Sequence, residues 1–257
     1  MTVKAHFSNT YLDARKKFLS ACGARSLEVD ERLNSNAKGA FEENLYMDIV
    51  RLGLANASKV LFIISGTHGV EGYCGSGIQT GLLNEGHFAN LPDDVSVVMV
   101  HAMNPYGFSH DRRVNEDNVD LNRNFLDFSR SERPLSDYSK IHEYLVPDDW
   151  DGPERQTANK HLAAFIAQRG MKEFQAAVSS GQYRHKDGLF YGGDRPTWSN
   201  EVFRSVLKDY AGAAQVVGFI DIHTGLGPHG YGELIALGSA KTKACAREWY
   251  GNQITDP

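Results

Sequence analysis

Residues 60–72 read VLFIISGTHGVEG, an apolar run that gives way to a polar, glycine-rich turn. A short run of β-branched and large apolar side chains before such a turn is typical of a buried central strand. Residues 95–100 and 216–222 have the same form and also end at polar loops. The sequence therefore predicts three core strands, each of which leads into a polar loop at its carboxyl end.

Apolar residues at helical spacing occur between these strands. We expect helices over residues 11–22, 75–83, 154–178 with a break near Gly170, 200–210 and 240–250, and further strands over residues 45–52 and 233–237. Strands that alternate with helices predict an α/β fold around a largely parallel sheet.

The composition is that of a globular protein, with 41% hydrophobic and 23% charged residues in a chain of 257. One core can bury most of such a chain, so residues 1–257 are expected to form a single domain. Residues 126–151 are polar and contain two prolines. Because long polar segments of this kind run over the protein surface, residues 126–151 are predicted to be a surface loop excursion.

Charge and composition also limit the partners. The net charge of −5 argues against nucleic acid or an anionic membrane as a partner. No apolar run approaches the ~20 residues of a membrane helix, and the amino terminus lacks the pattern of a signal peptide. The three cysteines include no C-x-x-C pair, which disfavours a disulfide scaffold. A cytoplasmic location is therefore expected.

Two polar clusters contain residue types that bind metals. His68 and Glu71 are three positions apart, a spacing that puts both side chains on one side of a helical turn. His223 ends the third core strand. Each cluster alone is also common in solvated loops or as a hydrogen-bonded structural residue. Together, two histidines and a glutamate form the three-ligand set of a hydrolytic zinc site, with the fourth position open to water.

A third cluster spans residues 112–125 and is rich in arginine, asparagine and aspartate. Asn122 and Arg123 are candidates to hold a substrate carboxylate, because a guanidinium group binds a carboxylate through two hydrogen bonds. Arg113 is a candidate to face a developing oxyanion, and Asp120 to orient a zinc-binding imidazole. The alternative for such a run is a solvated charged loop.

The order H-x-x-E, then DLNRNF, then DIHTG resembles the zinc carboxypeptidase superfamily, and within it the succinylglutamate desuccinylase and aspartoacylase branch with its bacterial relatives. The resemblance covers residues 60–237, most of the chain. It implies a mixed, mainly parallel twisted sheet of about eight strands with helices on both faces. The site residues that it implies are the zinc ligands His68, Glu71 and His223, the carboxylate clamp Asn122 and Arg123, and Arg113, preferred over Arg112, at the oxyanion.

The resemblance also implies a catalytic glutamate, well after the last histidine ligand, that takes a proton from water. Residues 224–257 follow His223, and their glutamates are Glu233 and Glu248. We interpret Glu233 as a candidate site residue rather than a general base, and we expect Glu248 to face solvent. The hypothesis is therefore a C-terminally truncated chain that lacks one or more final strands, which the mass of the native gene product would test.

The sequence thus predicts a zinc metallohydrolase, of the metallopeptidase (carboxypeptidase-like) or aspartoacylase-like type. Its expected substrate is a small molecule or peptide with a carboxylate, cleaved at an amide bond. The alternative is a zinc- or ligand-binding protein without catalytic activity, because the general-base glutamate is not in the chain. A serine or cysteine hydrolase is disfavoured, since no G-x-S-x-G motif occurs and Cys74 has no evident partner.

Overall fold

The computed structural model describes residues 2–130, 132–133, 136–225 and 227–255. The chain divides into two compact units, Met1–His223 and Thr224–Pro257. The first unit contains all the strands that were predicted to form the core, and the second contains the last helical pattern of the sequence.

A mixed sheet lies at the centre of the first unit. Its strands are β1 (Val29–Asn34), β2 (Leu45–Gly53), β3 (Lys59–Ser65), β4 (Val95–His101) and β5 (Val216–Ile222). They are ordered β1-β2-β4-β3-β5 across the sheet. β3 pairs in parallel with β4 and β5, whereas β2 pairs antiparallel with β4 and β1. β2 therefore runs opposite to the other four strands of the sheet, and the predicted mixed, mainly parallel sheet is confirmed.

The resemblance implies about eight strands, and the described part of the chain places five in this sheet. The bounds of the four strands predicted from apolar runs are confirmed to within one residue at each end. The prediction that residues 216–222 form a core strand is wrong, because β5 lies at the edge of the sheet formed by the described residues and is mostly exposed. β1 was not predicted, because its sequence VDERLN carries three charged residues. As an edge strand it pairs with β2 through its backbone on one side, and it needs no apolar run to do so.

Helices cover both faces of the sheet, as predicted. In the described part of the first unit they are α1 (Tyr11–Ala24), α2 (Gly72–Glu85), α3 (Pro105–Ser109), α4 (His142–Leu145), α5 (Pro153–Arg169), α6 (Met171–Ser179) and α7 (Trp198–Ala211). α1 and α2 pack against one face through Phe18 and Leu83, next to Ile63. α7 packs against the other face through Phe203, next to Phe62. Neighbouring residues of β3 thus serve two cores, because successive side chains of a strand point to opposite faces.

Short polar signals set the helix boundaries. The hydroxyl of Thr10 accepts a hydrogen bond from the backbone N–H of Asp13 and caps α1. Gly170, with φ of 86°, separates α5 from α6, which confirms the break predicted there. None of the helices formed by the described residues has the length and apolar character needed to cross a lipid bilayer.

Residues 126–151, predicted as a surface loop excursion, contain short helical turns. These are the 3-10 helix Asp137–Lys140 and α4. Tyr138 and Ile141 are each 1% exposed, and the Tyr138 hydroxyl accepts a hydrogen bond from the backbone N–H of Leu189. Two buried side chains in a polar segment are too few to produce a periodic signal in the sequence.

The second unit contains β6 (Leu234–Ile235), α8 (Ala240–Tyr250) and β7 (Ile254–Thr255). β6 pairs in parallel with β7. The predicted helix over residues 240–250 is confirmed, while the strand predicted over residues 233–237 forms for two residues only.

Candidate metal centre

The candidate site lies where β3 and β5 end. The two strands are parallel neighbours, and their register pairs Ser65 with Ile222 at the carboxyl ends. His68 comes three residues after β3, and His223 comes directly after β5. The polar residues that follow both strands therefore meet at one edge of the sheet, where open α/β folds bind their ligands.

Glycines shape the turn after β3. Gly66 has φ of 70°, in the left-handed region that favours glycine. A Cβ atom at Gly69 would lie 1.8 Å from the carbonyl carbon of Gly107, so this close approach requires glycine. The 3-10 helix Gly69–Glu71 then leads into α2. This tight turn brings the Glu71 side chain back beside His68.

Glu71 lies between two imidazoles in what we call the metal cluster, formed by His68, Glu71 and His223. Its Oε1 is 2.9 Å from Nδ1 of His68, and its Oε2 is 2.9 Å from Nδ1 of His223. One potential ligand atom from each residue lies within 4.8 Å of the other two. His68 and Glu71 are buried, whereas the His223 side chain is 33% exposed. The metal cluster is thus enclosed on one side and open to solvent at His223.

A second carboxylate stands behind each imidazole. Nε2 of His68 is 3.3 Å from Oδ1 of Asp120, and Nε2 of His223 is 2.7 Å from Oδ2 of Asp221. Asp221 also accepts a hydrogen bond from the hydroxyl of Thr67. Carboxylates in this position hold metal-binding imidazoles in a fixed orientation. They leave Nδ1 of both rings directed at Glu71.

The metal cluster favours positive charge. Burial opposes the charged form of His223, but hydrogen bonds with Asp221 and Glu71 raise the pKa of its imidazole to about 10. Burial also opposes the charged form of His68, but hydrogen bonds with Asp120 and Glu71 raise the pKa of this imidazole as well. Burial alone would raise the pKa of Asp120, yet the hydrogen bond with His68 and the positive charge of Arg113 lower this pKa to about 2.

This donor set fits a divalent cation of the zinc class. Two imidazole nitrogens and one carboxylate oxygen are the protein ligands of many three-residue zinc sites. The surrounding carboxylates favour positive charge at the two rings. A bound cation would supply that charge and displace protons from the rings, because imidazole binds metals in its neutral form.

Arg113 lies at the rim of the metal cluster. Its Nε donates a hydrogen bond of 3.0 Å to Oδ2 of Asp120, and its Nη1 is 3.8 Å from Oε1 of Glu71. The side chain is 40% exposed. One guanidinium group therefore contacts both the buried carboxylates and solvent. Arg112, its neighbour in sequence, is exposed.

Asn122 and Arg123 follow Asp120 in the 3-10 helix Leu121–Arg123. Oδ1 of Asp120 accepts a hydrogen bond from the backbone N–H of Asn122. Nη2 of Arg123 donates a hydrogen bond of 2.7 Å to the carbonyl oxygen of Ser179. Neither side chain forms a hydrogen bond or ion pair with the metal cluster within the described residues. The structure thus brings the three predicted ligands together with Asp120 and Arg113. It places the predicted clamp, Asn122 and Arg123, farther along the loop that carries Asp120.

Two residues of the site received no role from the sequence. Asp221 precedes His223 by two positions, and this strand spacing puts both side chains on one face, so the signal was present. Phe190 has φ of 52°, and its ring centroid lies 4.9 Å from the guanidinium carbon of Arg113 and 5.9 Å from that of Arg123. No sequence pattern marks Phe190, because its backbone conformation is set by tertiary contacts.

The chain is similar in structure to carboxypeptidases and to an aspartoacylase family protein. Carboxypeptidase A from Helicoverpa armigera matches with a TM-score of 0.47 and 13% identity, over 88% of this chain and 47% of its own. A metallo-carboxypeptidase from Burkholderia cenocepacia matches with a TM-score of 0.29 and 21% identity, over 57% of this chain and 36% of its own. An aspartoacylase family protein from Mesorhizobium loti matches with a TM-score of 0.28 and 16% identity, over 76% of this chain and 70% of its own.

The chain therefore spans less than half the length of these two carboxypeptidases. Members of the families that its motifs resemble are among the structures to which the chain is similar. A family model described as "Protein of unknown function (DUF2817)" matches residues 7–257. The search of curated proteins gave no match.

Proposed function

The chain belongs to the DUF2817 family, and we propose that it is a zinc-dependent hydrolase. The proposed reaction is cleavage of an amide bond in a small substrate that bears a carboxylate, either a peptide or an N-acyl amino acid. One observation carries this proposal. The Glu71 carboxylate lies 2.9 Å from Nδ1 of both His68 and His223, and each ring is held from behind by an aspartate.

His68, Glu71 and His223 would hold the zinc ion. Zinc at such a site acts as a Lewis acid that makes water a better nucleophile and polarises a carbonyl oxygen. Asp120 and Asp221 fix the two rings through hydrogen bonds to Nε2, so that Nδ1 of each ring stays directed at Glu71. The chain's own contribution is thus a set of ligands whose orientation is fixed before the metal binds.

The arginines would bind the negative charges of the substrate. Arg113 keeps one edge of its guanidinium group on Asp120 and exposes the rest, so it can stabilise an oxyanion beside the metal cluster. Arg123 and Asn122 would bind the substrate carboxylate, for which a guanidinium group offers two parallel donors. Arg123 would have to exchange its hydrogen bond with the Ser179 carbonyl for the substrate.

A zinc-binding protein without catalysis is the second candidate. Glu71 lies between the two imidazoles and is proposed as a ligand, so it is not available as the general base of the reaction. The two candidates agree on the metal and differ in turnover. For either candidate, we propose the cytoplasmic location that the cysteine pattern predicts. The thiols of Cys22, Cys74 and Cys245 are free.

The test combines zinc analysis with an activity screen. Purified protein is loaded with zinc, its metal content is measured by elemental analysis, and it is assayed on N-acyl amino acids and dipeptides. We expect His68→Ala to lose the zinc of the metal cluster together with all turnover. His87→Ala is the matched control, because His87 lies outside the metal cluster with a side chain that is 54% exposed.

Each outcome decides between the readings. Turnover by the wild type and the control, but not by His68→Ala, supports the hydrolase. Zinc bound at this cluster without turnover on any substrate of the panel would favour the binding protein. Full zinc content in His68→Ala would show that these residues are not a metal site.

A further inference from the structure

A second group of potential metal ligands lies outside the metal cluster. We call it the loop cluster, and it consists of His142 at the start of α4, and His185 and Asp187 in the loop after α6. One ligand atom from each residue lies within 4.8 Å of the other two. The two groups share no residue. The donors of the loop cluster are again two imidazoles and one carboxylate, which is a zinc-class set rather than the all-oxygen set that calcium or magnesium prefers.

The two imidazoles of the loop cluster lie against each other. Their ring centroids are 3.9 Å apart with an angle of 27° between the planes. Nε2 of His142 is 3.5 Å from Oδ2 of Asp187, and Nδ1 of His142 is buried without a hydrogen-bond partner among the described residues. A buried imidazole nitrogen without a partner costs free energy, and coordination of a metal ion is one way to satisfy it.

The backbone that carries His185 and Asp187 is fixed by hydrogen bonds. The Gln182 side chain accepts from the backbone N–H of His185 at 2.8 Å and donates to its carbonyl oxygen at 2.6 Å. The Asn118 side chain donates to the carbonyl oxygens on either side of Asp187, at residues 186 and 188. The loop is therefore held in place before any ligand binds, which lowers the entropic cost of binding.

We propose that His142, His185 and Asp187 bind a second divalent transition-metal ion, with zinc as the expected occupant. Imidazole binds a metal ion in the plane of its ring, and two stacked rings cannot both direct a lone pair at one ion. For the two rings to share an ion, one of them would therefore rotate about its Cβ–Cγ bond and leave the stack. The Asp187 side chain is 72% exposed, which leaves the remaining coordination position open to water. The ion would join α4 to the loop after α6.

This second ion would support the first site from a distance. The loop that carries His185 and Asp187 continues to Phe190, whose ring faces Arg113 and Arg123. By linking α4 to this loop, the ion would hold the ring against the two arginines. Its role is therefore structural, and its binding does not depend on the proposed hydrolase activity.

Zinc stoichiometry tests the proposal. Apo protein is prepared with a chelator and titrated with Zn²⁺ by calorimetry, and Co²⁺ is used in parallel because its absorption spectrum reports the ligand set. We expect the wild type to bind two equivalents, and His185→Ala and Asp187→Asn to bind one each. Asp187→Asn keeps the side-chain shape at an exposed position, so it still tests the proposal if His185→Ala fails to fold. His161→Ala is the matched control and should keep two equivalents, because His161 is an exposed histidine of α5 outside the loop cluster.

The two metal proposals can fail separately. One equivalent in the wild type, lost in His68→Ala and retained in Asp187→Asn and His185→Ala, would overturn the loop cluster and leave the proposed function standing. One equivalent that is lost in Asp187→Asn and retained in His68→Ala would support the loop cluster and overturn the metal cluster. In the His68→Ala protein, added Zn²⁺ should raise the Tm, and this rise should vanish when Asp187→Asn is added.

Discussion

A single buried carboxylate, that of Asp120, joins three parts of the candidate site. It is fully buried, contacts His68, accepts from Arg113, and accepts from the backbone N–H of Asn122. The same side chain thus orients a proposed ligand, holds the oxyanion arginine and starts the turn that carries the clamp. A change at this one residue should therefore affect metal binding without removing a ligand.

We expect Asp120→Asn to lower the zinc affinity of the metal cluster by about 10- to 100-fold. The amide keeps the shape of the side chain but loses the charge that fixes His68 and favours positive charge in the cluster. Affinity is measured by competition with a chelator of known strength, and circular dichroism confirms that the variant is folded. Asp117→Asn, at an exposed position of the same loop, is the control and should bind zinc like the wild type. Equal affinities in both variants would contradict the role given to Asp120.

Phe190 adopts a backbone conformation that is costly for any residue with a Cβ atom. Its φ of 52° lies in the left-handed region, where an L-residue other than glycine loses about 1–2 kcal/mol. We therefore expect Phe190→Gly to be more stable than Phe190→Ala by about 1 kcal/mol, the reverse of the usual order. Urea denaturation of the two variants measures the difference. Both variants lack the phenyl ring, so its loss cancels from the comparison.

Leu189 supplies the control for this comparison. It is the preceding residue, 45% exposed, and its φ is not positive. At that position the alanine variant should be more stable than the glycine variant, because glycine loses more backbone entropy on folding. If alanine were also the more stable substitution at position 190, the strain assigned to Phe190 would be wrong.

At the scale of elements, a buried ion pair connects α1 to β2. Nε and Nη2 of Arg15 each donate a hydrogen bond of 2.9 Å to the carboxylate of Asp48, which is fully buried in β2. Arg15 also forms an ion pair with Glu31 of β1. One arginine on a helix therefore holds two neighbouring strands. Removal of the Asp48 charge leaves this arginine without its buried partner.

We expect Asp48→Asn to lower the free energy of unfolding at pH 7 by about 3 kcal/mol or more. Burial alone would raise the pKa of Asp48, but His101 and Arg15, which face it, hold the pKa below its ordinary value. A lowered folded-state pKa stabilises the fold above the unfolded pKa of about 4, and this stabilisation is lost as the pH falls through the folded value. The difference between wild type and variant should thus be constant from pH 7 to about 5 and shrink below about pH 4.

Urea denaturation at several pH values measures this difference. Asp94→Asn is the control, because Asp94 also forms an ion pair, with Lys59, but both side chains are about half exposed. Solvent screens such a pair, so the control should change stability much less than Asp48→Asn. A difference between wild type and Asp48→Asn that grows toward low pH would contradict the assignment.

The same elements show which parts of the structure the sequence could predict. β3 and β4 are buried on both faces, so their apolar runs marked them clearly. The polar residues that follow β3 and β5 marked the three proposed ligands. β1 was not predicted, because its charged side chains interrupt any apolar run in the sequence. In the structure they form ion pairs, such as that of Asp30 with Arg32. The loop cluster also escaped, because its histidines come from segments that only the folded chain brings together. The ligand roles at both clusters stay predictions until a metal is measured.

At the scale of the whole molecule, the sheet formed by the described residues ends in an apolar edge. β5 is the last strand in the order β1-β2-β4-β3-β5. Val216, Val217, Phe219 and Ile220 on this strand are each between 39% and 54% exposed. An edge strand carries backbone N–H and C=O groups that no neighbour uses, and exposed apolar side chains on it favour pairing with a further strand.

We therefore expect this chain to self-associate through β5 as its concentration rises. Val217→Lys should shift the equilibrium toward monomer, because a lysine on an edge strand must lose its hydration when a second strand pairs there. Sedimentation velocity at several concentrations measures the shift. Phe41→Lys is the control, since Phe41 is 69% exposed in a loop between β1 and β2 and should leave association unchanged. Equal association of the wild type and Val217→Lys, or a purely monomeric wild type at high concentration, would show that β5 does not recruit a second strand of this chain.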